Sequence, residues 1–68
     1  MRRQFYIFTD ESEKCTVKEE GIDGTQRFAD ILEAISFVRG QRNGEPVDII
    51  AYGPTGQVVF REMVKNPH

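Results

Sequence analysis

One amphipathic stretch, residues 30–43, lies between two segments that each read as a β-hairpin, and this order constrains the fold more than any other feature. Asp30 is a good helix N-cap, and Glu33 three positions later completes the aspartate form of a capping box. Both carboxylates suit the positive end of a helix dipole. Ile31, Ala34, Ile35 and Val38 follow the i, i+3, i+4, i+7 spacing, while Leu32 and Phe37 widen the apolar stripe to the breadth of a helix lying on a sheet. The helix can stop with Gly40 as its C′ residue, or run to Asn43 with Gly44 as C′ and Pro46 preventing continuation. The longer version is favoured, because Arg39 and Arg42 then sit at the negative end of the dipole and offset the roughly 1 kcal/mol that an internal glycine costs.

Before the helix, residues 4–9 form a dense aromatic and β-branched run that ends in the polar cluster Asp10-Glu11-Ser12-Glu13. Residues 14–19 alternate, with Cys15 and Val17 on one side and Thr16 and Lys18 on the other, as a half-buried second strand does. Residues 20–26, with Gly21 and the Asp23-Gly24 pair, read as a loop. After the helix, residues 47–52 and 57–64 are strand-like. The joint Gly53-Pro54-Thr55-Gly56 places proline at i+1 of a type I turn and glycine in the left-handed position that follows. The fold class predicted is α+β: ββαββ, a four-stranded, mainly antiparallel sheet with one helix on one face and strand order undetermined. Residues 1–68 form one domain, with 1–3 and 65–68 frayed.

A chain of 68 residues buries only about 60% of its unfolded surface, so its core is marginal without a disulfide, a metal or a partner subunit. Cys15 is the only cysteine and His68 the only histidine, which excludes an internal disulfide and a structural zinc site. Self-association is left as the extra support. With 29% charged residues and a formal net charge of -2, neither a disordered chain nor a polyanion-binding tail is indicated. No apolar run reaches membrane-span length, and residues 4–8 are too short for a signal-peptide core. The expected location is cytoplasmic, in keeping with the lone thiol.

Phe28, Glu33-Ala34-Ile35 and Gly56-Gln57-Val58 give the chain a likeness, over about residues 5–62, to a known class. In these pieces it resembles short uncharacterised prokaryotic domains built as ββαββ, in which a helix carrying Glu-Ala precedes a closing hairpin. Such domains often carry a tryptophan in the second strand, near the position of Cys15, and this chain has none. The resemblance implies the fold and no activity.

Alternation sends Phe5, Ile7, Cys15, Val17, Val47, Ile49, Val58 and Phe60 toward the helix. It sends Tyr6, Phe8, Thr16, Lys18, Ile50, Tyr52, Val59, Arg61 and Met63 the other way. That second face is too apolar for full solvation, and such patches mark interaction sites. The first expectation is a small non-catalytic interaction or regulatory module, homodimeric through this face or along an edge strand. The alternative is a platform for single-stranded nucleic acid, with Tyr6, Phe8 and Tyr52 stacking on bases and Lys18 and Arg61 meeting phosphates. Eleven acidic residues against nine basic, and no basic stripe, weigh against it. Arg39 and Arg42, with Arg27 across the helix, form a possible contact for an acidic partner.

No enzyme, cofactor or metal is expected. Cys15, Ser12 and Ser36 lack a positioned base, so Cys15 reads as a small buried hydrophobe. Asp10, Glu11 and Glu13 lack calcium-loop spacing and read as a solvated turn. The glycine-containing loops lack the Gly-Lys-Ser/Thr ending of a phosphate-binding loop.

Overall fold

The computed structural model describes residues 2–41 and 46–64. Among them are five strands and one helix: β1 (Arg3–Thr9), β2 (Cys15–Glu19), β3 (Gln26–Phe28), α1 (Ile31–Gly40), β4 (Val47–Tyr52) and β5 (Val58–Val64). The α+β class, the single helix and the two hairpins agree with the sequence reading. The sheet has one strand more than expected and runs in the order β3-β2-β1-β4-β5. Residues 26–28 extend past the loop to pair with β2, as Cys15↔Phe28, Thr16↔Arg27 and Val17↔Gln26.

The central pair, β1 and β4, is parallel, whereas β1–β2, β2–β3 and β4–β5 are antiparallel. Parallel neighbours need a long crossover, and here the second and third strands and the helix supply it. The two hairpins therefore meet along their first strands. This brings the most hydrophobic run of each half to the middle of the sheet, with Phe5 opposite Ile49 and Ile7 opposite Ala51.

The N-cap forms as expected. Asp30 has an extended backbone and its side chain accepts the Glu33 N–H at 2.9 Å. Glu33 reaches back one residue further than a capping box requires, to the Ala29 N–H at 3.4 Å. The helix does not run to Asn43: Gly40 is its last residue, Gln41 is the C-cap, and the Gln41 N–H bonds to the Val38 carbonyl at 3.0 Å. A carbonyl left over at this end, that of Gln41, is taken by the Arg3 guanidinium. That contact and the weak helix propensity of Gly40 favour a stop here over another turn. The alternative ending at Gly44, like the position of Arg42, lies outside the described residues.

Between sheet and helix the core holds Phe5, Ile7, Cys15, Val17, Ala34, Ile35, Val38, Val47, Ile49 and Ala51. Phe28 and Phe37 close its flank with ring centroids 4.9 Å apart. Leu32, expected to widen the buried stripe, is 73% exposed. It lies beyond the arc of helix surface that Ile31, Ala34, Ile35 and Val38 turn toward the sheet.

Two turns behave as the sequence suggests. Asp10 Oδ1 accepts from the Ser12 N–H, the Ser12 hydroxyl and the Lys14 N–H, at 2.9, 2.7 and 3.1 Å. The acidic cluster is thus organised around its own backbone. In the second hairpin the Gly56 N–H returns to the Gly53 carbonyl, and Gly56 holds φ +86°, a conformation costly for a side chain.

At the opposite end of the core, Arg3 makes a bidentate pair with Glu19, at 2.7 and 2.8 Å, and lies over the Phe5 ring. β1 thus opens one residue earlier than expected. The hydrogen bonds from Arg3 hold the Glu19 carboxyl below its ordinary value of 4.5, against an opposing desolvation. A depressed folded-state pKa contributes stability that is complete above the ordinary carboxylate range and is lost as pH falls through the lowered value. Urea midpoints are expected to decline as pH is lowered from about 4.5. An Arg3→Met variant should be less stable at neutral pH and show a shallower decline. An equal slope in both proteins would contradict this account.

Candidate functional site

The face of the sheet away from α1 has no element over it among the described residues. Strand register arranges its side chains in rows that cross the strands. Nearest the start of β1 is an acidic row, in which Gln4 pairs with Asp48 and the Glu20 N–H bonds to the Gln4 carbonyl. Next comes a row flanked by cations, where Tyr6 lies between Lys18 and Ile50, and Ile50 is opposite Arg61. The third row is apolar and aromatic, with Phe8 between Thr16 and Tyr52 and Tyr52 opposite Val58. Beyond it the ladder closes at Asp10 and Lys14.

Phe8 joins the second and third rows through its ring. It stacks on Tyr52 at 5.5 Å between centroids and on Tyr6 at 6.4 Å, with interplanar angles of 12° and 24°. Adjacent strands about 4.8 Å apart place side chains of one row at stacking distance, so the Phe8–Tyr52 stack follows from the parallel pairing of β1 and β4, while Tyr6 joins it from two residues earlier on β1. Phe8 is nevertheless 47% exposed, as is Met63, while Tyr6, Ile50 and Tyr52 are half-buried. The Tyr6 hydroxyl donates to Glu20 at 3.4 Å. Desolvation, and then the Glu20 carboxylate, hold its pKa above the ordinary value, so it remains a neutral donor.

Two of the expected assignments change places. A register shift at Ala51/Tyr52 puts Val58, and not Val59, opposite Tyr52. Val58 therefore joins the open face, 57% exposed, instead of the core. Val59 turns to the helix side, where it lines a cleft of about 180 Å³ with Thr9, Ile31 and Pro54. A bulge inserts one residue and inverts the alternation of whatever follows it, so strict period-two counting cannot find it. The other expected face residues, Tyr6, Phe8, Lys18, Ile50, Tyr52, Arg61 and Met63, come together as read.

Of the expected basic cluster, Arg39 and Arg27 do not come together, and Arg42 lies outside the described residues. Arg39 makes a bidentate pair with Glu62 of β5, its Nε at 3.0 Å, and this raises its pKa further. Arg27 stands opposite Thr16, on the other side of the sheet from α1, and pairs with Asp10 at 3.2 Å. Lys18 donates to the Ile22 carbonyl at 2.8 Å, which draws its ammonium toward the β2–β3 loop. Glu62 is a residue that the sequence reading passed over. It stands opposite Ile49, hence on the helix side of an edge strand, which makes it an inward-pointing charge there.

A second cleft, of about 220 Å³, lies beneath the C-terminal end of α1 between Phe5, Val17, Phe37 and the β2–β3 loop. Glu19, the acidic group at its wall nearest the core, is already neutralised by Arg3. Among the described residues, no three His, Cys, Asp or Glu side chains gather as a metal site, and no helix is long and apolar enough to cross a membrane. Comparison with protein-family models, with curated proteins and with solved structures finds no match for this chain.

Proposed function

We propose that this domain is a non-catalytic interaction module that works as a homodimer and docks through the open face of its sheet. The observation that carries the reading is the stacked ladder Tyr6–Phe8–Tyr52, with Phe8 exposed and both tyrosines half-buried, at the centre of a face with no cover among the described residues. Aromatic side chains that are ordered by one another yet still meet water lose little entropy when a partner covers them.

The edges are less suited to pairing. β3 has only three residues, and β5 carries the charged pair Arg61 and Glu62 at its middle, one on each face. Antiparallel pairing of two β5 strands centred on Arg61 would set like charges directly opposite, and centring on Glu62 would do the same. The bulge and the Arg39–Glu62 pair defend this edge as natural edge strands are defended.

A single-stranded nucleic acid platform uses the same aromatic residues, but it needs free ring faces and a cationic track. Here the rings turn part of their faces to one another, and an acidic row borders the basic one. Sedimentation equilibrium from low to high micromolar concentration tests the proposal, with a reversible dimer as the expected result. A protein that stays monomeric throughout and binds single-stranded oligonucleotides in a salt-sensitive way would overturn it in favour of the platform.

A further inference from the structure

Resting on the dimer reading above, we infer that two copies pack open face to open face about a twofold axis that lies across the strands, between the Tyr6 row and the Phe8 row. Four β-strands about 4.8 Å apart and about 20 Å long offer a flat outline of roughly 400 Å² per copy, more once side-chain relief is counted. A pair then buries on the order of 1,000 Å², which reaches the lower bound for a specific interface but leaves no room for an off-centre arrangement.

The rows of charge select the axis. A twofold parallel to the strands would set each row against itself, so that Lys18 meets Arg61 of the second copy. Like charges brought together at an interface disfavour that solution. An axis across the strands exchanges rows instead, and its position along them is then constrained. Through the Tyr6 row it would oppose Lys18 to its own copy. Through the Phe8 row it would oppose Lys18 to Lys14. Between the acidic row and the Tyr6 row it would leave the aromatic ladder uncovered.

Between the Tyr6 and Phe8 rows, each of these conflicts disappears. Tyr6 meets the second copy's Phe8, Ile50 meets its Tyr52, and on the β2 flank Glu20 meets its Lys14. Sheets packed this way would be aligned within about 30°, a common sandwich geometry. Lys14 and Glu20 also lie on the open-face side by alternation with the buried Cys15 and Val17, and the Tyr6–Glu20 hydrogen bond confirms the side for Glu20.

A charge-reversal cycle tests the register. Lys14 and Glu20 flank the two ends of β2, six residues and about 20 Å apart, so they cannot compensate each other within one chain. The dimer dissociation constant is to be measured by sedimentation equilibrium for wild type, Glu20→Lys, Lys14→Glu and the double variant. Each single reversal, occurring twice per dimer, is expected to weaken the dimer roughly tenfold, and the double reversal to return it to within about twofold of wild type. A double variant as weak as the product of the single changes, in a protein whose wild type is dimeric, would overturn the register and leave the dimer standing. A monomeric wild type would overturn both.

Discussion

Replacing Phe8 by glutamate is expected to yield a folded monomer. The side chain is 47% exposed and its ring contacts are with Tyr6 and Tyr52 on the open face, so the core beneath loses nothing. The monomer should be destabilised by no more than about 1 kcal/mol, the order of cross-strand aromatic pairing. Association should suffer far more. A central aromatic anchor is lost from both copies and two carboxylates are desolvated in its place, which raises the dimer dissociation constant at least about 100-fold. Urea denaturation followed by circular dichroism gives the first quantity, and sedimentation equilibrium gives the second. Phe8→Glu that dimerises as tightly as wild type would rule out the open face as the interface.

One residue earlier, the expectation reverses. Ile7 is fully buried in the central strand, with Val17 beside it on β2 and the small Ala51 beside it on β4. Ile7→Ala leaves a cavity that the regular strand backbone on either side cannot collapse to fill, and such substitutions cost about 2–5 kcal/mol. A core of this size rarely supplies more than about 3–5 kcal/mol, so the variant should be substantially unfolded at 25 °C. Because association adds concentration-dependent stability, the comparison belongs in the monomeric Phe8→Glu background. A loss below about 1 kcal/mol would show that the core is more plastic than its burial implies.

That adjacent residues have such different expected roles is written in the alternation of β1, and this much was legible from sequence. So were the N-cap at Asp30, the turn at Gly53–Gly56 and the burial of Cys15, because each depends on residues within a few positions of one another. What the sequence did not disclose depends on distant partners. Nothing in residues 26–28 marks a strand until β2 supplies a ladder for them. Parallel pairing of β1 with β4 leaves no local signature, since either strand would alternate identically beside an antiparallel neighbour. Val58 and Val59 exchanged faces because one bulge shifted the count. Arg27 does not join Arg39, because the two face different layers and each finds an acid there.

The parallel centre of the sheet also has a temporal meaning. A strand pair such as Phe5↔Ile49 joins residues that are synthesised far apart, so β1, made well before β4, must wait for it before one of its two long edges is covered. Until then the N-terminal hairpin exposes an aromatic strand with unpaired backbone groups, a hazard that pairing of distant segments always carries. A chain interrupted before residue 47 would therefore keep its most adhesive strand open, which makes the β4–β5 hairpin the guardian of β1.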